Sequence, residues 1–267
     1  MKFGWRLAAL LNGIQDATAY RVEFLFEILG SAFVPAAIQW VFWYALFKVG
    51  GATRIAGMSY HEMIQYTLMT LLFSQIRGGD LDFELAEMIR SGQLSNYLLR
   101  PVSVIEFTYL RGLGPKLLIA SIGLMLGLAL ETAHPISHGI SPLRMFGAMG
   151  LALLGNVIHF QLGAALASVA FLWEEAYSML MVKNMLVSLL SGELIPLTLF
   201  PERFHWIWQS TPFYLYVFGP IQYASGRWSH AEFALHVGYA GLWMLGGYLA
   251  IRVAWGWGIR RYQSLGG

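Results

Sequence analysis

Runs of mainly apolar residues recur along the sequence, and each is about as long as a helix that crosses a bilayer. Such a helix needs roughly 20 apolar residues, and the runs here are separated by short polar breaks. Hydrophobic residues make up 57% of the 267 residues, which is more than one soluble core of this size requires. The sequence therefore predicts an all-α integral membrane protein with a single transmembrane domain over residues 1–267.

Six transmembrane helices are predicted from the positions of these runs. Their approximate bounds are 25–46, 63–76, 115–130, 142–171, 176–195 and 229–257. Before them, Arg6 and other charged residues alternate with apolar positions at helical spacing, which predicts an N-terminal interfacial helix. Ser103 with Glu106, and Ser229 with Glu232, match the capping-box pattern that begins a helix.

The stretch between the fifth and sixth predicted spans is apolar and aromatic, but Pro196, Pro201, Pro212 and Pro220 interrupt it. Proline removes a backbone hydrogen bond from a helix interior, and irregular backbone at membrane depth has to be covered by protein. We therefore expect re-entrant outer helices that dip in from one face. The aromatic residues from Phe204 to Phe218 fit either an interfacial belt or the lining of an exit for amphipathic molecules.

The distribution of lysine and arginine over the short loops sets the predicted orientation, because cytoplasmic loops carry the excess. The predicted cytoplasmic set is Lys2, Arg6, Arg21, Arg77, Arg90, Arg100, Arg111, Lys116, Arg260 and Arg261. The smaller outer set is Lys48, Arg54, Arg144, Arg203 and Arg227. Both termini are therefore predicted to be cytoplasmic.

The segment from Gly78 to Pro101 concentrates charge in a chain that is only 12% charged. A helix that begins after an Asp80 N-cap and ends at Gly92 would be amphipathic. Its apolar face would carry Leu81, Leu85, Met88 and Ile89, and its polar face Asp80, Glu84, Glu87 and Ser91. An anionic leaflet would repel the polar face. The segment is thus either a docking helix for a protein partner or a solvated helix in a loop.

The order of these features resembles that of bacterial ABC-2 type permeases, in particular the branch called ABC-2 family transporter proteins. The features are the N-terminal helix, the six spans, the charged helix between the second and third spans, "SGELIPLTLFPERF" followed by "TPFYLYVFGP", and the terminal "RRYQSLGG". The resemblance covers essentially the whole chain. Glu193 departs from the small or apolar residue expected before the turn at Ile195 and Pro196.

That resemblance implies a half-channel that pairs with a second permease subunit, identical or homologous, in the bacterial cytoplasmic membrane. It also implies that a coupling helix docks a separate P-loop ATPase subunit, which would bind ATP and magnesium. The implied contact residues are Asp80, Leu81, Glu84, Leu85, Glu87, Met88 and Arg90. The implied function is export of an amphipathic or lipophilic substrate, such as a drug or a lipid.

The chain itself carries no motif for ATP chemistry, since no G-x-x-x-x-G-K-[ST] sequence is present. It has no cysteine, which excludes disulfides and thiolate chemistry. Glu174 and Glu175 are interpreted as turn carboxylates before the fifth span. His134 and His138, with Pro135 between them, are interpreted as a surface loop rather than a metal site. We expect no metal, no cofactor and no nucleic-acid partner.

Polar residues inside spans are costly in hydrocarbon, so they usually face protein or a water-filled path. Asn156 and His159 on the fourth span, Lys183 on the fifth and Glu193 after it are candidates for a translocation path or a dimer seam. The alternatives are interhelical hydrogen bonds and, for Lys183, snorkelling to the inner interface. Two other functions stay open: a membrane-embedded enzyme that uses His159 or Glu193, and an assembly protein without transport.

Overall fold

The computed structural model describes residues 4–78, 81–133, 141–173 and 175–262, and the regular structure in these ranges is helical. The helices are α1 (Gly4–Ala19), α2 (Arg21–Tyr44), α3 (Tyr60–Arg77), α4 (Leu81–Arg90), α5 (Leu94–Leu98), α6 (Val104–Ala133), α7 (Pro142–Ala167), α8 (Ala176–Leu190), α9 (His205–Gln209), α10 (Phe218–Ala224) and α11 (His230–Ile259). The predicted all-α class is confirmed. The predictions for Asp80, His134, His138 and Glu174 lie outside the described residues.

Within the described ranges, three helical stretches are long and apolar enough to cross a membrane: 21–49, 142–171 and 230–259. The first is α2 continued by one π-helical turn, and the second is α7 continued by a 3-10 turn. α8 is apolar but has only 15 residues, so it is about 22 Å long. The predicted fifth span extended to residue 195, but Gly192 adopts a left-handed φ of +81° and the helix ends before it.

The helix starts follow from local capping. At α11, the Ser229 side chain accepts a hydrogen bond from the Glu232 N–H at 3.2 Å, and the Glu232 carboxylate accepts one from the Ser229 N–H at 2.7 Å. This confirms one predicted capping box. At α6, the Glu106 N–H donates to Ser103 Oγ at 3.3 Å, but the Glu106 carboxylate accepts from Arg6 of α1 at 2.8 Å. A long-range ion pair therefore holds the carboxylate that the pattern assigned to the cap.

α1 packs along α6 through two glycines. A Cβ added to Gly114 would lie 2.7 Å from the Leu10 carbonyl oxygen and 2.8 Å from the Ile14 nitrogen, and a Cβ on Gly13 would overlap the Arg111 carbonyl. The two backbones are therefore in direct contact. The sequence predicted the helix α1 but not this packing partner.

α7 is the central helix, and it contacts α3, α4, α6, α8, α10 and α11. Three of its glycines let neighbouring elements approach the α7 backbone closely, each at a different position along the helix. Gly147 lies against the Tyr223 ring, Gly155 against Leu215 and Tyr216, and Gly163 against Asp82 of α4. Gly147 and Gly163 are 16 positions apart on α7, or about 24 Å. α4 and the C-terminal end of α10 therefore lie toward opposite ends of α7.

The proline-rich segment folds as short turns rather than one helix. Pro196, Pro201 and Pro212 each stand directly before a 3-10 turn, and Pro220 lies in the first turn of α10. At these positions the missing proline N–H removes no interior helical bond. The segment is tied back to the helices before it, because the Phe218 N–H donates to the Ser191 carbonyl at 2.9 Å.

Candidate functional site

The amphipathic helix α4 stands between α3 and α6 in the chain, where the sequence predicted a helix with one apolar face. Leu85, Met88 and Ile89 are buried in a cluster that includes Leu180 of α8 and Phe160 of α7. Leu81 packs more loosely, against the backbone of α6 at Gly112. Burial of this face fixes α4 against three helices and leaves its opposite face toward the outside of the bundle.

The acidic face of α4 has partners within the chain. Glu84 accepts from Arg111 of α6 at 2.5 Å, and both side chains are 35% exposed. Glu87 accepts from Arg90 at 2.9 Å and from the Tyr177 hydroxyl of α8 at 3.1 Å. The hydrogen bond from Arg90, and to a smaller extent the one from Tyr177, holds the pKa of Glu87 below its ordinary value. The two carboxylates on the acidic face of α4 are thus half-exposed, and contacts within the chain hold both of them in place before any partner binds.

A groove of about 460 Å³ runs along this surface. Its lining residues are Leu81, Phe83, Glu84, Glu87, Met88, Gln93, Tyr97 and Tyr177. The lining mixes carboxylates with aromatic and aliphatic groups, and of these the aromatic residues are the type enriched at protein interfaces.

Asp82 is a site residue that the sequence analysis did not identify. Its side chain is 3% exposed and forms an ion pair with Lys183 of α8, whose side chain is 5% exposed. A Cβ on Gly163 would come within 2.7 Å of the Asp82 side chain, so only glycine leaves room for it on α7. The spacing indicates that Asp82 is buried, because it precedes Leu85 by three residues and Ile89 by seven and so shares their apolar face of the helix. Lys183 therefore does not snorkel.

Asn156 of α7 binds the C-terminal end of α3. Its Nδ2 donates to the carbonyls of Ile76 at 3.0 Å and Arg77 at 3.4 Å, and its Oδ1 accepts from the Tyr109 hydroxyl at 3.2 Å. The last carbonyls of a helix have no partner within it, so this amide satisfies groups that would otherwise be buried and unpaired. The contact agrees with the interhelical hydrogen-bond alternative for Asn156.

Glu193 and His159 lie in the same interior but make different contacts. Glu193 accepts from Arg77 at 2.9 Å, and its backbone carbonyl accepts from Gln39 of α2 at 2.8 Å. His159 is buried, with its ring edge-on to Tyr216 at 5.6 Å between centroids. Within the part of the chain that the structure describes, His159 Nδ1 and the Tyr216 hydroxyl have no hydrogen-bond partner. The structure thus gathers Asn156 and Glu193 around the end of α3, and Lys183 beneath α4.

An apolar cavity of about 560 Å³, open to the surface where Met179, Val182 and Leu186 are exposed, lies between α7 and α8. Its lining residues are Leu162, Ala165, Leu166, Ser178, Met179, Val182, Lys183, Leu186 and Phe213. A cavity of this size suits a small lipophilic molecule. Among the described ranges there is no group of three or more His, Asp or Glu side chains that could hold a metal ion.

The all-helical fold and the apolar spanning helices define a membrane component that has no ATP-binding loop of its own. The profile of the ABC-2 family transporter protein family matches residues 33–266. The chain therefore belongs to this family, whose members form the membrane part of ATP-binding cassette transporters and associate with an ATP-binding subunit. No curated protein and no solved structure matches the chain significantly.

Proposed function

We propose that this chain is the permease subunit of an ATP-binding cassette exporter in the bacterial cytoplasmic membrane. It would work with a second permease subunit and with two separate ATPase subunits that carry ATP and magnesium. Its substrate would be an amphipathic or lipophilic molecule, and the apolar cavity between α7 and α8 supports that class. The chain itself would perform no bond chemistry.

The observation that carries the proposal is the structure of α4. This helix is held firmly, because Leu85, Met88 and Ile89 are buried in the bundle. It also presents a polar surface to a soluble partner, because Glu84 and Glu87 are half-exposed. A helix with those properties can transmit a push from a soluble subunit into the helices on which it rests. A merely solvated loop helix would not need a buried face on three neighbours.

Two further observations support a transporter with distinct inner and outer ends. α4 and Tyr223 contact α7 about 24 Å apart, which fits a cytoplasmic coupling helix and an outer re-entrant segment. The short α8 and the proline-separated turns after it fit a span that ends within the membrane and continues as re-entrant helices. In this arrangement α2, α3, α6, α7, α8 and α11 are the six spans, and both termini are cytoplasmic.

The first test is native mass spectrometry of the chain, gently solubilised from its own membrane. The expected result is a complex with two P-loop ATPase chains and two permease-sized chains, and the mass of the second permease distinguishes a homodimer from a heterodimer. Repeated isolation without an ATPase would contradict the proposal. The alternatives would then be tested by replacing His159 or Glu193 with alanine, because loss of a reaction with retained folding would indicate an enzyme.

The second test addresses the α4 surface directly. Glu84→Lys with Glu87→Lys should release the ATPase, because charges at an interface rim govern its association. The matched control is Glu23→Lys with Glu202→Lys, which makes the same change in net charge at two exposed positions outside α4. Retained ATPase binding in the α4 variant, or equal loss in the control, would remove α4 from the docking surface.

A further inference from the structure

α4 is attached to its neighbours by contacts of unequal strength. Toward α6, the Glu84–Arg111 pair has each side chain 35% exposed. Toward α8, the Asp82–Lys183 pair is almost completely buried. The α8 contact is reinforced near the surface, where the Phe83 and Tyr177 rings lie 5.4 Å apart between centroids. α8 therefore contacts α4 at two places along its length: at Tyr177 in the first turn of α8, and at Lys183 about two turns later.

The two ion pairs respond differently to a force on α4. A half-exposed pair is replaced by water and counter-ions when its members separate, so its loss costs little. A buried pair cannot separate without leaving two uncompensated charges in a medium that solvates them poorly. A displacement of α4 should therefore break the α6 contact first and keep the α8 contact intact.

The surface of α7 under this pair is compatible with such a movement. Gly163 presents only backbone to Asp82, so at this position α7 has no side chain that would obstruct a shift of the pair. Lys183 also lines the apolar cavity between α7 and α8. A movement of α8 with α4 would thus change the width of that cavity.

We propose that Asp82 and Lys183 are positioning residues that make α4 and α8 one moving unit. The inference rests on the proposed function, because it takes α4 to be the element that the ATPase moves. It adds that α8 follows α4, that α6 does not, and that the cavity wall formed by α8 is the part of the permease displaced in each ATPase cycle.

The experiment measures distances between spin labels in the permease–ATPase complex in nanodiscs, with and without ADP–vanadate. The chain contains no cysteine, so Ser91→Cys with Met185→Cys labels α4 and α8, and Ser91→Cys with Ile122→Cys labels α4 and α6. Met185 and Ile122 are exposed. Labelled chains are diluted with unlabelled chains so that distances within one chain dominate.

The expected result is an unchanged distance between the labels at 91 and 185, and a shifted distance between those at 91 and 122. The test variant is Asp82→Asn with Lys183→Met, which removes both charges of the pair with little change in shape. In this variant the distance from 91 to 185 should shift as well. The matched control, Glu62→Gln with Arg227→Met, neutralises a partly exposed ion pair that lies away from α4 and should leave that distance unchanged.

The outcomes separate this inference from the proposed function. Only the inference fails if an ATPase co-purifies but the α4–α8 distance shifts in the chain that keeps Asp82 and Lys183. The same holds if neither distance shifts in that chain. The inference also fails if the Asp82→Asn, Lys183→Met variant behaves like the parent chain. If no ATPase co-purifies, the proposed function fails and the inference falls with it.

Discussion

Gly114 lies at the point where α6 meets α1, and its replacement by alanine tests how tightly the two helices are packed. The added Cβ would lie 2.7 Å from the Leu10 carbonyl oxygen and 2.8 Å from the Ile14 nitrogen. Ordinary contacts between carbon and oxygen begin at about 3.3–3.6 Å, so the helices would have to part by roughly 0.6–0.9 Å at this point. Both obstructing groups are backbone atoms, so no side chain can turn aside.

Overpacking of this kind costs about 1–3 kcal/mol. Because both obstructing groups are backbone, we expect the upper half of this range, about 2–3 kcal/mol, and the better helix propensity of alanine offsets about 1 kcal/mol. The net loss in the free energy of unfolding is then about 1–2 kcal/mol. For a chain of this size that corresponds to a melting temperature lower by about 2–8 °C. The assay is thermal unfolding of the chain in mild detergent.

The matched control is Gly30→Ala in α2, where an added Cβ has nothing within 4 Å. Because that site has open space, the substitution should leave the melting temperature unchanged or raise it slightly. Gly13→Ala, on the opposite side of the crossing, should act in the same direction as Gly114→Ala. If Gly114→Ala and Gly30→Ala melt alike, the direct backbone contact between α1 and α6 is refuted.

Two further predictions concern the α4–α8 contact. Asp82→Asn alone should lower the free energy of unfolding by about 3–5 kcal/mol because it removes the carboxylate that compensates the buried Lys183 charge, whereas adding Lys183→Met should recover most of that loss; equal melting of the single and double variants would contradict this. Hydrogen bonds from Arg90 and from Tyr177 hold the pKa of Glu87 below its ordinary value. The contact between Glu87 and Tyr177 therefore stabilises the fold fully at pH values above the ordinary pKa, and this stabilisation is lost as the pH falls through the lowered pKa. Tyr177→Phe should therefore destabilise the chain at neutral pH, with the two melting curves converging in acid, and a deficit that persists in acid would contradict the assignment.

The sequence predicted the features that depend on neighbouring residues. The apolar face of α4 and the cap at Ser229 follow from spacing alone, because a helix repeats every 3.6 residues and a cap involves only one turn. The breaks at Pro196, Pro201 and Pro212 follow from a fixed φ and a missing N–H. Each of these features is specified by one short segment of the chain.

The contacts that define the site depend on distant residues, and periodicity does not encode them. Asp82 and Lys183 are 101 residues apart in the chain, and nothing in either local segment specifies the other. The capping pattern at Ser103 was incomplete for the same reason, since Arg6 binds the Glu106 carboxylate from another helix. The fifth span alone leaves snorkelling open for Lys183, because its buried partner Asp82 lies on another helix.

The hydrogen bond from the Tyr66 hydroxyl to the Gly192 carbonyl, 2.6 Å long, joins residues that are 126 positions apart. Ribosomes add about 5–20 residues per second, so roughly 6–25 s pass between synthesis of Tyr66 and synthesis of its acceptor. During that interval α3 is already made while the segment that covers it does not yet exist. The Tyr66 hydroxyl is therefore without its Gly192 acceptor for that time, and the final packing of α3 against this segment can be completed only after residue 192 has been made.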